Sequence, residues 1–191
     1  MMQHAPLFIV LLPVSAALLC MLFSRMQKNL GSWIVIGSIA AAFMSAVTVL
    51  QQVIADGGKP IHYWMGNWQP PLGIEFVIDP ISGVLAVLIT FISLLGSIYS
   101  LPFVKEEGWL HIGGYYTLYG LMTVGMCGMV ITGDVFNLYV FLEVMSLSGY
   151  GLIALGGKKS MLAAFRYLRI GTIGASLYLL GAGHMYALAG T

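Results

Sequence analysis

The chain has 191 residues, of which 59% are hydrophobic and 8% charged, with a formal net charge of +1 and a mean hydropathy of +0.93. Soluble domains carry about 25% charged residues, so this composition excludes an ordinary soluble domain. It also excludes a nucleic-acid partner, because the eight basic residues form no patch suited to a phosphate backbone.

Hydropathy predicts an all-α integral membrane protein, a single membrane domain over 1–191 with about six spans. The expected spans are 5–23, 31–54, 80–104, 112–132, 135–156 and 162–189. Segments this apolar must be helical, because lipid offers the backbone no hydrogen-bond partners. Met1–Pro6 holds no Lys or Arg and so no basic n-region. The run Ala5–Phe23 is therefore expected to be a retained span, and Pro13 is expected to kink it. Cys20 and Cys127 lie in apolar runs and read as small buried hydrophobes. No Cys/His spacing suggests a metal site and no motif asks for a cofactor. The pairs Gly125/Gly128 and Gly171/Gly174, with Ala175, are expected at close helix contacts.

The loop 56–79 is the one long connection. Its turn signals, Gly66-Asn67 and Pro70-Pro71, separate two short segments of β-like composition. They predict a small hairpin with Trp64 and Trp68 at headgroup level. Seven basic residues (Arg25, Lys28, Lys105, Lys158, Lys159, Arg166, Arg169) fall on one side of the expected topology, and Lys59 alone on the other. The bias predicts both termini outside and the three basic turns cytoplasmic, in a multi-pass protein of the cell inner (cytoplasmic) membrane.

The fifth span carries one carboxylate in its middle, Glu143. An acid inside a bilayer costs several kcal/mol unless neutral or paired, so it reads first as a proton or ion site. Its bland alternative is a structural carboxyl bonded to Ser146. Asp134 starts the same span, as a helix N-cap or as part of an ion path. It lies nine residues from Glu143, about 13 Å along a helix. Counting back from the Gly156–Ser160 turn puts Arg169 within about four residues, or 6 Å, of the depth of Glu143. Arg169 is then a charge partner or a side chain snorkelling to the surface. His184 matches the depth of Asp134 and is either a proton relay or a packed residue. Tyr139, Ser146, Ser148 and Tyr150 are candidates to line a hydrated path. A membrane enzyme fits poorly. Only His184 of the four histidines falls inside a span to hold haem, and Ser176 and His184 share one helix, which a serine protease would not use.

The run GDVFNLYVFLEVMSLSGYGLIALGG, followed by KKSMLAAFRYLRIGTIGASLYLLGAGHMYALAGT, resembles the antiporter-like membrane subunits. These occur in Mrp-type cation/proton antiporters, respiratory complex I and membrane-bound hydrogenases. FNLYVFLE is most similar to the Mrp-type D subunit, and GNWQPPLGIEFVIDPISG is similar to the segment before that family's third span. The resemblance implies that Glu143 matches the family's essential fifth-helix glutamate. It implies an N-terminal three-helix part over 1–111 and the first three helices of an antiporter-type repeat over 112–191. It implies H⁺, and in some members Na⁺, as the transported ion, and other membrane subunits as partners within the bilayer. In the family a lysine on the seventh helix works with the glutamate. No Lys lies inside any span here, so the expectation is that another chain supplies the lysine helix. The sequence thus supports a non-enzymatic subunit of a proton- or Na⁺/proton-translocating complex with Glu143 as proton carrier. The alternative is a non-conducting structural or assembly subunit in which Arg169 neutralises Glu143.

Overall fold

The computed structural model describes residues 4–27, 29–68, 73–104 and 109–189. Its elements in order are α1 (Ala5–Met26), α2 (Leu30–Ala55), β1 (Ile61–Trp64), β2 (Glu75–Ile78), α3 (Pro80–Tyr99), the short α4 (Leu101–Val104), α5 (Trp109–Ile131), α6 (Val135–Ala154) and α7 (Lys158–Ala189). Each expected span becomes a helix within a few residues of its expected ends. Among the described residues five helices, α1, α2, α3, α5 and α6, are long and apolar enough to cross a membrane. The sixth expected span is the 32-residue α7. Arg166, Arg169, His184 and four glycines dilute its hydropathy, so it falls outside that set.

The helices alternate in direction. α1 packs on α2 and α5, α2 on α3, α5 on α6, and α6 on α7. One end of the bundle carries the hairpin. The other carries Arg25, the α6–α7 turn with Lys158 and Lys159, and, further along α7, Arg166 and Arg169. Lys28, Lys105 and the Pro70-Pro71 turn lie outside the described residues. α1 runs continuously through Pro13, which is buried. The core has two parts. Near the hairpin, Ile9, Val49, Val53, Phe76, Cys127 and Ile131 pack together. Toward the basic end, Cys20, Val35, Ile39, Ile112 and Tyr116 do so.

The hairpin forms where the sequence places it. β1 and β2 pair antiparallel, with Ile61 opposite Ile78 and Trp64 opposite Glu75. A 3-10 turn, Met65–Asn67, follows β1, with Gly66 and Asn67 both at φ 64°. That left-handed conformation suits Gly and Asn, which explains why this dipeptide marks the turn. Glu75 accepts from His62 Nδ1 at 2.7 Å and from Trp64 Nε1 at 3.0 Å, clamping the two strands. Trp64 and Trp68 are both exposed, 39% and 63%. The hairpin is also stitched to the α5–α6 turn. Phe76 bridges Thr132, and Gly133 donates its N–H to the carbonyl of Glu75 at 2.9 Å. Phe76 is fully buried there, its ring centroid 6.2 Å from that of Phe141 on α6. At the start of α3, Asp79 and Ser82 form a reciprocal capping box.

α5 and α6 approach closely because glycine permits it. A Cβ on Gly125 would lie 2.6 Å from the backbone nitrogen of Met145, and one on Gly128 would enter the ring of Phe141. Leu118 fills the space against Gly151. These contacts fix an antiparallel register in which Glu143 lies level with Met126 and Cys127 of α5.

Candidate functional site

Asp134 begins the site. Its side chain accepts the N–H of Asn137 and caps α6, leaving the helix free to start at Val135. Asn137 donates its side-chain amide to Thr132 at 2.9 Å, which ties the cap to the end of α5. The second carboxylate oxygen of Asp134 accepts from Tyr186 of α7 at 3.0 Å.

Along α6, Tyr139, Glu143, Ser146 and Tyr150 recur at intervals of four, three and four, which puts them on one helix face. That face looks toward α7. Tyr139 stacks on Tyr178, with centroids 6.2 Å apart and planes 10° from parallel. The Tyr178 hydroxyl donates to the carbonyl of Val135 at 3.0 Å. Tyr150 sits edge-on to Tyr167 at 4.8 Å, and its hydroxyl fills the space where Gly171 lacks a Cβ. Between these two contacts Glu143 is half-buried. Opposite it on α7 runs a stripe of small residues, Gly171, Ala175 and Ala182, the two alanines buried. Tyr139 and Glu143 lie one turn apart on this face.

The expected partners of Glu143 are placed differently from one another. Arg169 lies on α7 between Tyr167 and Gly171, the two residues that meet Tyr150, and so toward the basic end from Glu143. Helical side chains lean toward their own N-terminus. Glu143 on α6 therefore leans toward the hairpin end, whereas Arg169 on the antiparallel α7 leans toward the basic end. Arg169 is exposed, its guanidinium 5.8 Å from the ring of Phe165 on the preceding turn. Among the described residues the ion pair within 4.0 Å is His62–Glu75, so Glu143 and Arg169 do not pair. Ser146 is half-buried on the same face as Glu143, one turn closer to the basic end. Ser148 is spent on its own helix, donating to Val144 at 2.6 Å. His184 is exposed, and its Nδ1 meets the carbonyl of Leu180 at 2.8 Å rather than Asp134. Among the described residues no three His, Cys, Asp or Glu side chains gather as a metal site would require.

Tyr178 and Tyr186 are the members that the sequence reading missed. The signal was present: two tyrosines eight residues apart share a helix face, and the small residues at 171, 175 and 182 extend it. Reading them needed the register of α7 against α6.

No protein-family model matches the chain. The N-type subunit of NADH-quinone oxidoreductase from Desulforudis audaxviator is 41% identical over 191 residues, all of this chain and 38% of the relative. The D-type subunit of the Na(+)/H(+) antiporter from Bacillus subtilis is 31% identical over 186 residues, 95% of this chain and 37% of the relative. The chain is a homologue of the antiporter-like membrane subunits. A chain in the membrane-bound sulfane sulfur reductase, an archaeal respiratory membrane complex, matches this chain with a TM-score of 0.88 at 30% identity. That match covers 97% of this chain and 37% of the other. A chain of the Mrp complex from Dietzia sp. DQ12-45-1b shares the fold, with a TM-score of 0.83 at 24% identity over 100% of this chain and 35% of that one. The chain thus spans less than two fifths of the length of these relatives, and it is a multi-pass membrane protein.

Proposed function

We propose that this chain is the part of a proton- or Na⁺/proton-translocating membrane subunit that carries the proton-binding acid, and that Glu143 is that acid. One observation carries the reading: a carboxylate stands midway along an apolar helix, on a face of hydroxyl-bearing residues turned toward a neighbouring helix. Burial favours the neutral carboxyl and a nearby cation favours the carboxylate, so a partner that approaches and withdraws moves the proton on and off. Moving one charge through 100 mV is worth about 2.3 kcal/mol, so a proton carried by Glu143 through the membrane is driven by the membrane potential. The switching cation, a lysine in the family resemblance, comes from helices other than the six long ones described here. The protein works among other membrane subunits. Its basic end faces the cytoplasm, following the seven-to-one bias of Lys and Arg, and both ends of the chain face outward.

The competing reading is a non-conducting assembly subunit with Glu143 neutralised by Arg169. The lack of an ion pair between the two among the described residues, the Arg169 guanidinium over Phe165 and the opposite lean of the two side chains speak against it. Glu143→Gln in the assembled complex, assayed for ion transport in sealed membrane vesicles, is expected to abolish transport while assembly proceeds. Wild-type transport by that variant would refute the proposal.

A further inference from the structure

The face of α6 toward α5 offers no room for a polar path to Glu143. Met145 and Phe141 fill it, with glycines 125 and 128 bringing the backbones together. The seam between α6 and α7 differs. From the hairpin end inward it holds the Asp134 carboxylate bound by Tyr186, then the Tyr178 hydroxyl on Val135, then the Tyr139–Tyr178 stack. All three tyrosines are half-buried. The series ends at Glu143, whose carboxylate leans toward it. A capping aspartate needs only the backbone of its own helix; here its second oxygen is held by a tyrosine 52 residues away. On the α7 side, the residues between the Tyr150 contact and Tyr186 that face α6 are otherwise small: Gly171, Ala175 and Ala182.

We propose that Asp134, Tyr186, Tyr178 and Tyr139 form the proton route between the hairpin-side surface and Glu143. The route spans about 13 Å of helix. A proton enters at the Asp134 carboxylate. Each hydroxyl accepts a proton on its oxygen as it releases its own, water bridges the intervals, and one proton arrives on Glu143. No electron moves. This rests on the reading of Glu143 as the proton-carrying acid, and the test separates the two.

The rings and the cap can be kept while the protons are removed. Phenylalanine at 139 and 178 preserves the stack without its hydroxyls. Asparagine at 134 caps a helix about as well as aspartate but does not titrate. In sealed vesicles carrying the assembled complex, Asp134→Asn and the double variant Tyr139→Phe/Tyr178→Phe are each expected to slow proton transport about tenfold or more. Asp134→Glu, which restores a titratable oxygen, should recover most of the rate per assembled complex. If Glu143→Gln is inactive while Asp134→Asn and the double variant stay within about twofold of wild type, the route is wrong and the acid stands. If Glu143→Gln also transports normally, both fall. If Asp134→Asn is slow and Asp134→Glu does not recover, Asp134 acts by geometry alone and the relay is overturned.

Discussion

Replacing Gly125 with alanine tests the seam that positions α6. The new Cβ would sit 2.6 Å from both the backbone nitrogen and the Cβ of Met145, and 2.8 Å from its Cα. Ordinary contact begins near 3.4 Å, so α5 and α6 must part by about 0.8 Å over a stretch whose side chains are already interdigitated. Backbone atoms cannot swing aside as a side-chain tip can. Overpacking of this kind costs about 1–3 kcal/mol. In a chain of this size that lowers the melting midpoint by about 2–12 °C. Gly149 supplies the control, since a Cβ there meets nothing within 4 Å. Gly149→Ala should be neutral or stabilise by up to about 1 kcal/mol, because alanine is the better helix former. Thermal melting of the detergent-purified protein, followed by circular dichroism, measures both. Equal midpoints for the two variants would show that α5 and α6 do not meet at Gly125, and the placement of Glu143 between Met126–Cys127 and α7 would fall with that register.

Two further outcomes follow from the same contacts. Gly171→Ala should loosen α6–α7 by driving a Cβ into the Tyr150 hydroxyl, and adding Tyr150→Phe should recover much of the lost stability, a coupling that a double-mutant melting cycle reads directly. Asp79 is held below the usual carboxylate range, chiefly by the backbone N–H of Ser82 and then by its hydroxyl. A depressed folded-state pKa contributes stability above the unfolded pKa and loses it as pH falls through the folded value. Asp79→Ala should therefore cost about 0.5–2 kcal/mol at neutral pH and progressively less in acid, whereas Asp79→Asn should remove the pH dependence and keep the cap. Unfolding at neutral and acid pH distinguishes the two.

Helix positions were legible in the sequence because a lipid-facing helix is apolar on all sides, and hydropathy needs no knowledge of neighbours. The hairpin was legible from Gly66-Asn67, since few residues accept a positive φ. Asp134 as a cap was legible from its place before an apolar run. The partner of Glu143 was not. Counting from the turn at Gly156–Ser160 placed Arg169 within about four residues of Glu143, yet the guanidinium lies over Phe165 and no ion pair joins the two. Gly157, at φ 100°, reverses the chain tightly and helps set the register of α7 against α6. A depth count also ignores where side chains lean, and on antiparallel helices the two lean apart. His184 and Tyr186 show the same limit: both match Asp134 in depth, and rotation of α7 about its axis decides which one reaches it.

The bond from Gly133 to the Glu75 carbonyl has a bearing on biogenesis. The hairpin emerges from the ribosome before α5 and α6, yet part of the docking site of its second strand is the turn between them. Until that turn has crossed to the hairpin's side, Phe76 has no cavity to enter and the strand edge stays open. An inverted α5–α6 pair would leave the Glu75 carbonyl and the Phe76 ring without these partners, so the hairpin can close only on a helix pair inserted the right way round.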